Sequence, residues 1–325
     1  MCRHFREPIM RLLVGAVVVL SAAGAAPLRA QSYNFLHPMD LIERTLRAEN
    51  PHIIDWRGSR AEGDRTSRVT LLIEDSAVMI LQWANAPRGG STFNNEPRYE
   101  AAAYAFQRMF LPESEYVVPP TVLRAFPLDF VRQRAPDADP TFRGAASVLV
   151  VLQYWLSYVS QDSVWQPRRA ETDTLYARKV GNLNVFTHLI NHSDSNIGNI
   201  LISQASDDPR MFSVDNGVAF RSDPSNRGTE WQDMRVKRIP ASTVERLRRI
   251  TREDLDRELG VLAEFEIRDG QLVEVPPGPN LSPGRGVRQE DGRVQVGLTS
   301  GEIGDLERRL RNLLRSVDRG RLDTF

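Results

Sequence analysis

Between Arg65 and Trp83, apolar β-branched runs alternate with a short polar break. Val69-Thr70-Leu71-Leu72-Ile73 and Ala77-Val78-Met79-Ile80-Leu81-Gln82-Trp83 predict two strands, with Glu74-Asp75-Ser76 turning between them as a hairpin. From Pro97 to Phe110 the period changes. Ala102, Ala103, Phe106, Met109 and Phe110 fall on one stripe, which predicts a helix with proline in its first turn. Glu96, Glu100 and Gln107 fall on another face. Ser147 to Leu156 is a continuous apolar run, read as a buried strand with a helix as the alternative. Asp173 to His192 predicts a helix, with Tyr176, Val180, Leu183, Phe186 and Ile190 on one side. Two short strands follow, Ile200 to Ile202 and Met211 to Val214. Thr243 to Leu262 predicts a charged helix carrying Val244, Leu247, Ile250, Leu255 and Leu259. Thr299-Ser-Gly-Glu302 is a capping box, and it opens a last helix with Ile303, Leu306, Leu310, Leu313, Leu314 and Val317 at helical spacing. Pro119-Pro120, Pro136 to Pro140 and Pro276 to Pro283 read as loops.

Strands and one helix come first, then mostly helices. That order predicts an α+β protein of two lobes, a small mainly β lobe with one helix and a larger helical lobe. The expected divisions are a leader at 1–30, a first lobe at 31–150 and a second lobe at 151–325. Residues after about 240 are expected to complete the helical lobe.

The leader changes the charge arithmetic. Arg3, Arg6 and Arg11 precede an uncharged run of 17 residues, Leu12 to Leu28, and small residues lead to Ala30. This is the pattern of a secretory signal peptide, so the chain is expected to be exported to the periplasm or secreted after cleavage near Ala30. An uncleaved anchor is the alternative, but the run sits near the lower limit for a membrane span. No span is expected once the leader is gone. The whole chain balances 42 basic against 42 acidic residues. The leader holds four arginines and one glutamate, so the remainder stands at about −3. Such a chain is no general nucleic-acid binder, which needs a basic excess or stripe. The one cysteine lies in the leader, which excludes a disulfide framework and a cysteine-based zinc site. Only two of the basic residues are lysines, Lys179 and Lys237.

The segment Asn191 to Phe220 carries the candidate chemistry. His192-Ser-Asp194-Ser-Asn-Ile-Gly-Asn199 fits H-x-D-x-x-x-x-N, the catalytic-loop pattern of protein kinases. Asp215-Asn216-Gly217 follows 21 residues after Asp194, where kinases carry a metal-binding D-x-G. Phosphoryl transfer needs a carboxylate to take the proton of the attacking hydroxyl, and oxygen ligands to hold Mg²⁺ or Mn²⁺ on the nucleotide phosphates. Asp194 is the candidate base, with Asn199 and Asp215 as candidate metal ligands. Taken singly, these are also ordinary turn residues, and His192 can cap a helix. A calcium-loop reading fails, because Asp194-Ser-Asn-Ile-Gly198 lacks the required glycine and glutamate positions. A hydrolase using Asp194 and Asp215 as acid and base is weaker still, with no H-E-x-x-H and no G-x-S-x-G.

Asp215-Asn-Gly-Val-Ala-Phe220 resembles the D-N-G-x-x-F of the Golgi casein kinase family, the secretory-pathway kinases. Asn94-Asn-Glu-Pro-Arg-Tyr-Glu-Ala-Ala-Ala-Tyr104, followed by Val117-Val118-Pro119-Pro120, is similar to that family's helix-C region. The resemblance spans roughly residues 65 to 240, with a more distant likeness to phosphoinositide kinases. It implies a kinase-like fold, ATP with Mn²⁺ or Mg²⁺, and a hydroxyl acceptor on protein Ser/Thr or sugar. It also implies that Glu100 is the helix-C glutamate, whose kinase partner is a strand lysine. Here Gln82 holds the lysine position, and no lysine precedes Lys179. A neutral amide donates a hydrogen bond but supplies no charge. Arg88, in Arg88-Gly-Gly90, is a candidate substitute phosphate contact. Two readings follow: an exported phosphotransferase with an altered site, or a pseudokinase that binds a ligand or partner.

Overall fold

A computed structural model describes residues 33–58, 66–73, 76–92, 96–192, 197–205, 207–220 and 234–325. The leader and Asp194 lie outside these residues.

Five antiparallel strands form the first sheet: β1 (Ile53–Gly58), β2 (Thr66–Ile73), β3 (Ala77–Asn85), β4 (Thr121–Pro127) and β5 (Ser147–Tyr154), in the order β1-β2-β3-β5-β4. The expected hairpin forms, pairing Thr66 with Ala84 through to Ile73 with Ala77. Side chains alternate across a strand. Val69, Leu71, Met79, Leu81 and Trp83 therefore share one face with Val148, Val150 and Leu152. Helix α1 (Met39–Leu46) covers that face with Met39, Ile42 and Leu46. β5 is buried at every position, which is why its sequence has no polar phase. It crosses residue 150 without a break.

Helix α2 (Pro97–Arg108) lies on the other face of the sheet. Ala101 packs with Ala84, Leu123 and Val151. The predicted stripe of Ala102, Ala103, Phe106 and Phe110 points away, into the helical core. α2 is thus buried on two sides, and its polar face is not a solvent face. Gln107 is fully buried. Its carboxamide accepts from the Val117 and Val118 amides at 2.7 and 2.8 Å and donates to the Val118 carbonyl at 2.7 Å. Gln107→Ala leaves three buried backbone groups without partners. It is expected to cost about 3 kcal/mol or more in a denaturant titration; a loss under about 1 kcal/mol would show that water replaces the carboxamide.

α3 (Leu128–Arg132) and α4 (Pro167–Thr172) are short. α5 (Thr174–Leu189) is the predicted long helix, N-capped by Asp173, whose carboxylate accepts from the Tyr176 amide at 3.1 Å. Its end is a Schellman turn. Asn191 takes φ +50°, with Asn191 N–H to His188 O at 3.2 Å and His192 N–H to Thr187 O at 3.0 Å. β6 (Val159–Ser160), β7 (Ile200–Ser203) and β8 (Met211–Ser213) make a three-stranded sheet.

The region after 240 departs from expectation. After β9 (Arg238–Ile239), the predicted helix 243–262 is two helices, α6 (Ala241–Leu247) and α7 (Arg252–Leu259). Thr251 and Asp254 form a capping box that starts the second. Residues 263–296 are not helical. They form β10 (Ala263–Arg268), β11 (Gln271–Val275), β12 (Val287–Glu290) and β13 (Arg293–Val296), ordered β11-β10-β13-β12. Both hairpins turn on Asp-Gly, with φ +51° and +73° at Asp269-Gly270 and +47° and +75° at Asp291-Gly292. Those dipeptides between alternating apolar residues are the local signal for this sheet. Phe265, Leu272, Val294 and Val296 pack it onto Leu123, Leu149 and Val151 of the first sheet. The chain's end therefore buttresses the first sheet. α8 (Ser300–Asp318) then returns to the helical core, opened by the predicted Thr299–Glu302 capping box. β14 (Asp323–Thr324) pairs parallel with β9. Among the described residues, no helix is long and apolar enough to cross a membrane.

Candidate functional site

The D-N-G segment leaves β8 with Asp215 in the left-handed region, at φ +55°. Asp adopts this conformation more readily than most side chains, because its short polar group bonds locally. The turn swings the exposed Asp215 carboxylate out and sends Asn216 inward, where it is fully buried. The Asn216 Oδ1 accepts from the Ser213 hydroxyl at 3.0 Å. Its Nδ2 reaches Glu100 Oε2 at 3.5 Å and the Ser213 carbonyl at 3.4 Å.

Two further links tie this segment to α2. The Glu96 amide, just before the helix, donates to the Gly217 carbonyl at 3.1 Å. The Phe220 ring, again at positive φ, packs on Tyr99 of α2 at 5.6 Å between centroids. The Val-Val-Pro-Pro segment joins the same assembly: the Ser213 amide donates to the Val117 carbonyl at 2.7 Å, while Gln107 holds Val117 from α2. The motifs that are separate in sequence are thus hydrogen-bonded to one another.

The electrostatic result is a carboxylate pair. Burial pushes the Glu100 carboxyl up to about 8, and the negative charge of Asp215 pushes in the same direction. The Asn216 side chain and the Asn216 and Gly217 amides oppose the shift by hydrogen bonding. Two acids placed so that each disfavours the other's ionisation are a natural seat for a cation.

The other expected site residues fall as follows. Asn199 ends a short 3₁₀ turn, and its carbonyl accepts from the Val214 amide at 3.0 Å. It stands beside the residue that precedes Asp215. His192, in the Schellman turn, is buried. Gln82 lies on β3, opposite Arg68 of β2 and Gln153 of β5. Arg88 lies elsewhere. It sits exposed in a 3₁₀ turn and pairs with Asp139 at 3.6 Å, and no described contact joins it to Glu100. Asn216, which bridges Glu100 to β8, is not among the candidate residues that the sequence singles out. Its only signal was its place inside the D-N-G motif.

No family model matches the sequence, and no curated protein sequence matches it. Among solved structures, the chain matches a hydra protein, "The structure of hydra Fam20 with sugar", with a TM-score of 0.50. The match covers 89% of this chain and 92% of the hydra chain at 14% identity. The fold is kinase-like and of the Fam20 kind. A looser likeness, at a TM-score of 0.31 and 10% identity, covers 55% of this chain and 49% of a MAP kinase from Leishmania major. Among the described residues, no group of three or more His, Cys, Asp or Glu side chains gathers to form a metal cage. The candidate donors that the structure brings together are the carboxylates of Glu100 and Asp215.

Proposed function

We propose that the protein is an exported phosphotransferase that moves the γ-phosphate of ATP to a hydroxyl acceptor on a protein Ser/Thr or a sugar. The observation that carries this is the meeting of α2 with the D-N-G turn: Asn216 bridges Glu100 to β8 at 3.5 Å, and Asp215 lies near enough for its charge to raise the Glu100 pKa. The donor set suits Mg²⁺ or Mn²⁺. Such ions take one or two carboxylates and fill the remaining positions with water and substrate phosphate. Bound there, the ion would neutralise charge on the transferring phosphoryl group. Asp215, Asn199 and Glu100 are the residues that would hold it. Asp194, two residues after His192, would orient the acceptor hydroxyl. Its carboxylate takes the hydroxyl proton as the acceptor oxygen bonds to the γ-phosphorus, the bond from the γ-phosphorus to the β–γ bridging oxygen breaks, and ADP leaves.

The acceptor class follows from the resemblance, and the hydra Fam20 structure with sugar is in keeping with a glycan acceptor. Export rests on residues 1–30. The near-neutral, slightly acidic remainder argues against nucleic acid as a partner. The test is purified protein with Mn²⁺ or Mg²⁺ and γ-labelled ATP. Transfer to a protein or glycan panel, or autophosphorylation, is expected. A second reading, a pseudokinase that binds a ligand or partner without transfer, is favoured by Gln82. ATP binding without transfer across that panel selects it, and the absence of ATP binding overturns the nucleotide reading altogether.

A further inference from the structure

If the site takes a nucleotide, it needs a positive group for the phosphates, and the strand position that should carry one holds Gln82. The register of the first sheet shows what stands beside it. Arg57 pairs with Arg68, Arg68 with Gln82, Gln82 with Gln153, and Gln153 with Thr121. Directly opposed residues of an antiparallel pair point to the same face, with Cβ atoms about 5 Å apart. A single polar row thus crosses all five strands, on the face that α2 covers. On one side of it, Ala84, Val151 and Leu123 pack under Ala101 of α2. On the other, Val78, Ile80 and Trp155 form a partly open apolar end. The face grades from apolar surface through the polar row to the helix that bears Glu100.

We propose that Arg68 supplies the nucleotide-phosphate charge that Gln82 does not, so that the cation has moved one strand across the sheet. This rests on the nucleotide reading of the site. Among the described residues, the other arginines near the row are committed. Arg57 pairs with Asp55 at 2.8 Å on the outermost strand. Arg98 is locked between Glu96 and Glu302. Arg124 points to the opposite face, where it pairs with Glu274 at 3.0 Å. Arg88 is turned toward Asp139. Arg68 is exposed and forms no ion pair among the described residues. Its guanidinium rests over the Trp155 ring, 5.0 Å from the centroid. That contact is weak at an exposed site and leaves the five donors of the fork available. It also holds the side chain over the residue that follows β5, on the same face as Gln82.

The experiment is calorimetric titration of the purified protein with ATP and Mn²⁺, and separately with adenosine. Arg68→Gln is expected to weaken ATP binding about 10- to 100-fold, as loss of a charge-assisted phosphate contact does. Adenosine binding is expected to be unchanged, which also reports that the variant is folded. Arg68→Lys is expected to retain most of the ATP affinity, and adding Gln82→Lys to Arg68→Gln is expected to recover it. Unchanged ATP affinity in Arg68→Gln overturns the assignment and leaves the nucleotide reading standing. If the unaltered protein binds neither ATP nor adenosine, the nucleotide reading itself falls.

Discussion

Asp215→Asn is expected to reduce metal-dependent transfer by about 1,000-fold or more, equivalent to ~4 kcal/mol of transition-state stabilisation, while leaving the protein as stable as before or slightly more so. Asparagine tolerates the left-handed conformation at φ +55°, so the turn is preserved. Asp215 is exposed, so no packing is lost. What disappears is one negative charge beside Glu100, a charge that raises the Glu100 pKa. Its removal relieves repulsion in the metal-free protein. A residue that only shaped the turn would show neither effect, and one that only stabilised the fold would lower the melting temperature. Parallel measurement of transfer rate and thermal stability separates the cases. Transfer retained within tenfold would remove Asp215 from the site.

Glu302→Ala is expected to destabilise the protein by about 3 kcal/mol in guanidinium titration, the cost of removing the bidentate one of the two carboxylates that pair the buried Arg98. Glu302 and Arg98 meet in a nearly enclosed setting, with Arg98 Nη1 and Nη2 on the two carboxylate oxygens at 2.6 and 2.9 Å. Tyr99 O–H bonds the same carboxylate, and the Thr299 amide donates to it at 2.8 Å as half of the capping box. One side chain thereby joins the start of α8 to the first turn of α2. Glu302→Gln keeps the shape and part of the bonding, and a smaller loss is expected. Burial alone would raise the Glu302 pKa, but the hydrogen bond and charge of Arg98 outweigh it and hold the carboxyl below its usual range. A depressed carboxyl contributes stability above its unfolded pKa of about 4.3, and the contribution is lost as pH falls through the folded value. Acid unfolding is therefore expected to begin below about pH 4 and to be less steep in Glu302→Gln. An identical acid profile in the two proteins would remove Glu302 from that role.

Much of the secondary structure was legible. The β2–β3 hairpin, α2, α5 and the opening of α8 all carry strong local signals: period-two or helical spacing, a first-turn proline, a capping aspartate and a capping box. The site was legible as motifs. What failed was the region after Thr243, where charged residues at helical spacing hid a break. Thr251-Arg-Glu-Asp254 marked the second helix, and two Asp-Gly dipeptides marked the hairpins. Short strands such as Arg293-Val-Gln-Val296 carry too few residues for their alternation to stand out. The burial of the polar face of α2 was not legible either, since a helix packed on both sides buries Glu96 and Gln107 as fully as its apolar stripe.

The sequence alone determined which residue types were available: a D-N-G turn, an H-x-D loop, a helix bearing Glu100, and no lysine in the first lobe. These are local facts, written in adjacent residues. Tertiary structure decided which of them meet. Asn216 reaches Glu100 across 116 positions, and Glu96 binds Gly217, only because β8 and α2 converge. Strand register decided that Arg68, and not Arg88, stands beside Gln82. Cross-strand neighbours are set by hydrogen-bond pairing and burial of one face, and a one-residue slip would turn every side chain to the other side. No spacing along the chain encodes that.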